Sequence, residues 1–243
     1  GDNERFPPIT IELPSGQLIK LTGRIDRLDA LKTGEGTYLR IVDYKSGNKA
    51  FKLSDIYYGL QVQLITYLDA VWENENNDFQ KPVLPGGILY FRIDDPVIKS
   101  SNSKIEEEDI EKAIMKQLKM KGLLLADVKL VKEMDRQIEG DSLIIPARLN
   151  KGDVLGRSSV ATGEQFIKLR GYVKKLLERI AQEIVDGSIM INPYKKKRVT
   201  SCQFCSYLAV CQFDRALKDD NYKILRDCKD EEVWEKITNE VFS

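Results

Sequence analysis

Histidine is absent from all 243 residues. That removes His-based triads, His general bases and His-ligated zinc together. Net charge is absent as well: 38 lysines and arginines balance 38 aspartates and glutamates, so no overall basic field argues for a nucleic-acid partner. No apolar run is long enough to span a bilayer, and the opening GDNERFPPIT lacks a basic-then-apolar leader pattern. A cytoplasmic protein with no membrane partner is the expectation. Gly34 and Gly36 are not followed by the G-K-[ST] of a phosphate loop, which excludes nucleotide hydrolysis by that route. There is no internal repeat and no low-complexity linker. Chemistry must rest on carboxylates, lysines, tyrosines or cysteines.

What is present is a folded composition, 42% hydrophobic and 31% charged, in a length suited to one large domain or two small ones. Ile9, Ile11 and Leu13 alternate with polar residues and PSG turns, which predicts a hairpin whose second strand runs to about Leu31. KTGEG is a turn and TYLRIVDYK the next strand. Ser54 is placed to cap a helix that runs through DIYYGLQVQLITYLDAVWENEN, with Asp55 in its first turn and Leu60, Leu64, Leu68 and Val71 as its buried stripe. The apolar run Ile88 to Ile93, ended by Asp94-Asp95-Pro96, suits a strand covered on both faces. Three strands, a helix and a strand make an α/β core. EEEDIEKAIMKQLKMK reads as a helix with Ile110, Ile114 and Leu118 in register. Residues 122–160 read as short strands and loops without an assignable role. A long amphipathic helix is expected from near Thr162 to Gly187.

Three pieces of the first third carry chemistry. Asp26 is expected mid-strand in GRIDRLD, Asp43 and Lys45 lie in RIVDYKSG, and Gln63 and Tyr67 lie on the following helix. The two-residue period of a strand puts Asp43 and Lys45 on one face, with Val42 and Tyr44 turned into packing on the other. Gln63 and Tyr67, four apart, share a helix face. Taken singly each has a plainer reading: a surface ion pair, a packed helix pair, a cross-strand charge ladder. Taken together, two carboxylates repel unless a cation sits between them, and Mg²⁺ takes carboxylate oxygens, a backbone carbonyl and waters. Lys45 would be a second cation beside such a metal, offsetting charge on a phosphate.

That order of residues, GRIDRLD … RIVDYKSG … YYGLQVQLITYL … PGGILYFRIDDP, resembles the PD-(D/E)xK nuclease superfamily, and more narrowly its RecB-like branch with a Q-x-x-x-Y motif. The resemblance runs from about Thr22 to Phe213. It implies a restriction-endonuclease-like mixed sheet flanked by helices: a nuclease core over 1–190 with a less regular insertion at about 97–160, then a cysteine-rich iron–sulfur segment over 191–243. It implies Asp26, Asp43 and the carbonyl of Tyr44 as Mg²⁺ ligands, Lys45 as the catalytic lysine, and Gln63 and Tyr67 as residues that position the lysine or the DNA strand. The implied reaction is metal-dependent hydrolysis of a DNA phosphodiester by an exonuclease. The implied setting is a bacterial helicase–nuclease complex, with a helicase–nuclease partner subunit, processing double-strand breaks for recombination.

The cysteines are Cys202, Cys205, Cys211 and Cys228. A C-x₂-C pair is a two-ligand bite for zinc or an iron–sulfur cluster. From spacing alone, zinc with Cys228 as fourth ligand and a set of unrelated buried cysteines both stay open. The resemblance implies instead a 4Fe–4S cluster on Cys202, Cys205 and Cys211, with a fourth cysteine from far upstream. No cysteine precedes Cys202. The expectation is therefore a domain core cut from a longer protein, with an incomplete cluster and weakened activity.

KKKR, Lys195 to Arg198, is a basic run placed to contact phosphates. Lys168, Arg170, Lys174, Lys175 and Arg179 on the long helix read as a solvated face. Three rival readings stand beside the nuclease: a stand-alone single-strand exonuclease of the Cas4 type, a non-cleaving DNA- or partner-binding scaffold, and a zinc-binding interaction module. A scaffold has no need to hold Asp26 and Asp43 together, and a zinc module leaves Asp43 and Lys45 unexplained.

Overall fold

The computed structural model describes residues 8–75, 82–98, 106–214, 216 and 221–242. The expected hairpin forms from β1 (Ile9–Glu12) and β2 (Leu18–Leu21), with Ile11 opposite Ile19. Its second strand stops at Leu21 rather than near Leu31. Residues 22–26 leave the hairpin, and β3 (Arg27–Lys32) belongs to a different sheet, pairing antiparallel with β4 (Thr37–Lys45). The separation has a packing cause: Ile11 and Leu13 pack against Ala181 far along the chain, while Leu28 packs on the central core.

The expected long helix is two. α1 (Leu53–Tyr57) and α2 (Gln63–Glu75) are separated at Gly59, whose φ of 78° is a left-handed conformation natural to glycine. Gln61 is buried in the break and donates to the carbonyl of Ala50 at 2.9 Å and to Asp55 at 3.0 Å. The cap of α1 falls on Lys52 and Ser54 is buried inside the helix, so Ser54 is not the cap. Leu60 lies in the break; Leu64, Leu68 and Val71 are buried as expected. The last residue of the expected helix, Asn76, lies outside the described residues.

β5 (Val83–Arg92) begins five residues before the expected Ile88 and runs parallel to β4. α3 (Glu107–Leu118) forms as expected, although none of its residues is buried. The stretch without an assignable role then supplies β6 (Lys121–Leu125), antiparallel to β5, and α4 (Val128–Met134). β7 (Gly140–Asp141), β8 (Arg148–Asn150) and β9 (Val154–Leu155) make a small sheet, and β10 (Val160–Ala161) pairs parallel with β6. α5 (Gly163–Val185) starts on a full capping box between Thr162 and Gln165. β11 (Tyr194–Lys196), β12 (Val199–Thr200), the short α6 (Leu208–Cys211) and β13 (Lys223–Ile224) follow, then α7 (Asp230–Phe242).

The central sheet has the order β10-β6-β5-β4-β3, with mixed polarity. One face, carrying Leu39, Ile41, Ile88, Tyr90 and Leu123, is covered by α2, α5 and α7 through Leu64, Leu68, Phe166, Leu169, Val233 and Ile237. The other, carrying Val42, Leu89 and Leu124, packs on Val131 of α4 with Ile145 and Ala147. A mixed sheet covered on both faces is the expected α/β class. Among the described residues, no helix is long and apolar enough to cross a membrane.

Candidate active site

In β4 the alternation that buries Leu39 and Ile41 continues to Asp43 and Lys45, so the apolar face of the sheet ends in a carboxylate and an ammonium. Asp43 is 3% exposed. Asp26 sits in the bend just before β3, not in mid-strand. Because Arg27 faces Val42 in the ladder, Asp26 comes level with Asp43. Its Oδ2 accepts the N–H of Tyr44 at 3.0 Å, which fixes the carboxylate beside the Asp43–Tyr44 peptide. On the other side Asp43 pairs with Tyr90 of β5, and Tyr90 with Lys121 of β6. Asp26, Asp43, Tyr90 and Lys121 thus form a row across four adjacent strands.

Lys45 Nζ lies 2.5 Å from Asp43 Oδ2 and donates to Gln63 Oε1 at 3.2 Å; Gln63 Nε2 donates in turn to the Tyr67 hydroxyl at 3.1 Å. The helix break at Gly59 makes this possible, because it sets Gln63 on the first residue of α2. The five residues expected to act together, Asp26, Asp43, Lys45, Gln63 and Tyr67, therefore meet at one end of the sheet. Asp43 Oδ2 contacts the ammonium but receives no hydrogen bond of proper geometry, so a buried carboxylate oxygen is left with an unfilled lone pair. Two carboxylates and a backbone carbonyl, one oxygen unsatisfied, fit a hard divalent cation such as Mg²⁺. Tyr44 departs from expectation: its ring is 36% exposed and stands edge-on to Phe91 at 5.9 Å, while Val42 is buried as expected.

Two further residues belong to the site. Tyr90 lies under the ammonium groups of Lys45 and Lys49, 5.7 and 5.6 Å from its ring centroid. Burial, then the charge of Asp43, pushes its hydroxyl up to about 12. Gly23 lies against the Tyr67 ring, so closely that a Cβ there would sit 2.8 Å from Tyr67 Cε1. Neither carries a sequence signal of its own, since Tyr90 reads as one more apolar strand residue and Gly23 as a loop glycine.

The basic run is partly engaged elsewhere. Lys196 pairs with Asp55 of α1 and with Asp227 at 2.7 Å; Lys197 and Lys52 reach Asp227 at 2.6 and 2.9 Å. Lys195 lies in β11 and Arg198 in the turn to β12, exposed. Cys205 donates its N–H to the carbonyl of Cys202 at 3.2 Å, which closes the C-x₂-C turn. Cys202 and Cys211 are half-buried and Cys205 exposed. Cys228 sits apart, its sulfur 3.5 Å from Lys236 Nζ and 3.7 Å from the Tyr58 hydroxyl. Among the described residues, no three cysteine, histidine or carboxylate side chains gather to hold a metal ion, so these cysteines do not by themselves complete a cluster site. The Asp26–Asp43 site is of a different kind, with two carboxylates and a carbonyl.

Comparison with known proteins agrees with this geometry. The chain is 63% identical over 241 residues to the AddB subunit of the ATP-dependent helicase/deoxyribonuclease of Acetivibrio thermocellus. It is 60% and 54% identical to proteins of the same name from Ruminiclostridium cellulolyticum and Clostridium novyi. Each match covers 99% of the chain and 21% of the relative, so the chain spans about a fifth of the length of these curated relatives. The model of the PD-(D/E)XK nuclease superfamily matches residues 2–212, a span that holds the carboxylates, the lysine and the Gln–Tyr pair, and the chain belongs to that superfamily.

Proposed function

We propose that this chain is the metal-dependent DNA nuclease domain of a bacterial helicase–nuclease subunit of the AddB type. It hydrolyses phosphodiesters as an exonuclease, in the cytoplasm, beside an AddA-like partner subunit, during the processing of double-strand breaks for recombinational repair. The observation that carries the reading is the buried Asp43 carboxylate, ion-paired to Lys45, level with Asp26, and left with an unsatisfied oxygen. The relatives' names and the family support it.

Asp26, Asp43 and the Tyr44 carbonyl would hold Mg²⁺. The metal, when bound, supplies polarisation of the phosphate and a bound water of lowered pKa. The remaining work falls to the chain. Lys45 is positioned from two sides, by Asp43 and by Gln63. Its ammonium is thereby held where negative charge accumulates on a phosphoryl oxygen in the transition state. Tyr67 settles which end of the Gln63 amide faces Lys45: the NH₂ is committed to the tyrosine hydroxyl, so the carbonyl oxygen turns to the lysine.

The test is made in the full-length protein with its partner. Asp43→Ala and Lys45→Ala are each expected to lower Mg²⁺-dependent cleavage of single-stranded DNA by about 100-fold or more. Mg²⁺ is expected to raise the melting temperature of the wild type by mass action and to leave Asp43→Asn unmoved. Unchanged cleavage in either alanine variant overturns the assignment. We also propose that Cys202, Cys205 and Cys211 contribute three ligands of a 4Fe–4S cluster whose fourth comes from elsewhere in the longer polypeptide. Iron content and the visible spectrum of anaerobically purified full-length protein decide this, and a colourless, iron-free protein refutes it.

A further inference from the structure

Beside Lys45 the sheet edge opens into a narrow cleft lined by five cations, Lys45, Lys49, Arg92, Lys119 and Lys121, and by no carboxylate. Two of the five are already neutralised, Lys45 by Asp43 and Arg92 by Asp94, the latter at 2.6 Å. The other three have no carboxylate partner among the described residues. Lys49 lies over the Tyr90 ring and Lys121 donates to the Asn48 side chain, both neutral groups. Lys119 is half-buried, and burial draws its ammonium below the ordinary lysine value despite distant Asp141 and Asp135. Three like charges around one cleft, one of them partly desolvated, cost stability unless an anion arrives to join them.

The fold sets these charges in a definite relation to the site. Lys119 closes α3 and Lys121 opens β6, two residues apart. Lys121 stands level with Tyr90, and Tyr90 with Asp43. Two inter-strand spacings therefore separate Lys121 from Asp43 along the row, about 10 Å between backbones. That is within reach of a second phosphate of the same strand, given a lysine's flexible stem. Tyr44, exposed at the end of β4 against Phe91, offers a ring face next to the same track.

We propose that Lys49, Lys119 and Lys121 seat a phosphate adjacent to the scissile one, so that a single nucleic-acid strand crosses the sheet edge along the row Asp43–Tyr90–Lys121. The proposal rests on the nuclease reading and extends it by assigning the substrate's path. A repeating polyanion suits cations spread along a row better than a lone protein carboxylate does. These lysines are positioning residues, and their loss acts on binding before chemistry.

The experiment compares wild type with Lys119→Gln/Lys121→Gln in the full-length protein, in complex with its partner. The substrates are a short single-stranded oligonucleotide and versions carrying one neutral methylphosphonate, placed in turn at the linkages flanking the scissile bond. The double variant is expected to raise KM by about tenfold, with a smaller change in kcat. One methylphosphonate position is expected to raise the wild-type KM similarly and to add little to the variant. Anisotropy of the labelled oligonucleotide in EDTA, where nothing is cut, is expected to show a salt dependence shallower by about 0.7 for each phosphate no longer neutralised. Lys119→Arg/Lys121→Arg should restore most of the affinity. Full additivity of the two charge removals at every linkage, or an unchanged salt slope, overturns the proposal. So does failure of the complex to assemble with KM unchanged, which would make the cleft a protein contact. Cleavage that survives Asp43→Ala sinks the nuclease site itself; additivity with Asp43 still essential sinks only the lysine seat.

Discussion

Lys45 owes its position to a relay that begins at a glycine. The hydroxyl of Tyr67 fixes the Gln63 amide, Gln63 fixes the lysine, and Gly23 gives the Tyr67 ring its room. Gly23→Ala must push that ring away, because a Cβ cannot sit 2.8 Å from an aromatic carbon. Its expected effect is that of Tyr67→Phe: a fall in kcat of about tenfold at nearly constant KM, as for loss of one charge-positioning hydrogen bond. Since both act through one relay, the double variant is expected to be little worse than either single one. Strict additivity in that cycle refutes the relay. At this scale the sequence is informative wherever a period governs placement. Asp43 and Lys45 share a strand face by the two-residue repeat, and Gln63 and Tyr67 a helix face by the four-residue one. Gly23 and Tyr90 are not legible there, because their roles come from the approach of segments distant in the chain.

Among the elements, the helix expected over Asp55 to Asn76 differs from the two that form for a definable reason. Leu60, Leu64 and Leu68 keep helical spacing straight across the break, and a glycine inside a helix costs only about 1 kcal/mol, so the pattern hides the interruption. What decides is tertiary: Gln61, buried and bonded to Ala50 and Asp55, ties the chain down there. Gly59→Ala forces a side chain into the left-handed region at a cost of about 1–2 kcal/mol. Because the break sets the start of α2, the same substitution is expected to lower nuclease activity, whereas Gly34→Ala, in an open turn, should leave both stability and activity near wild type. Denaturant midpoints and cleavage rates measured together check this; a destabilised Gly59→Ala with full activity would separate the break from the site. The strand over-extended to Leu31 has a similar cause, since alternation continues while the chain changes sheets. β6 escapes because a strand of five residues, Lys121–Leu125, carries too short a pattern to be told from a buried loop. The closing helix does carry a signal, Val233, Ile237 and Val241 at four-residue spacing, but only the fold shows that it completes the core beside α5.

For the molecule as a whole, the question is how the cysteine-bearing segment is held to the domain that carries the site. Asp227 is the knot: Lys196, Lys197 and Lys52 all converge on it, and Lys196 continues to Asp55 of α1. α1 leads through the Gly59 break into Gln63, so the same anchor that holds β11 also steadies the approach to Lys45. Hydrogen bonds from those three lysines, Lys196 first, hold the Asp227 carboxyl well below the usual carboxylate range. The sign follows from linkage. With the native value depressed, the unfolded chain takes up a proton at about pH 4 while the folded chain does not. The stabilisation is therefore complete above about pH 4 and is lost as pH falls further toward the native value. Asp227→Asn removes the carboxylate and leaves three lysines facing one another, so it is expected to be the less stable protein at neutral pH. Its deficit should shrink once the wild type begins to lose the same interaction in acid. Urea midpoints of the two proteins, taken from about pH 7 down to about pH 2.5, test this. Convergence below about pH 4 is the expected result. A deficit that stays constant into acid means that Asp227 stabilises by packing alone, and the electrostatic anchor between the cysteine segment and α1 must then be abandoned.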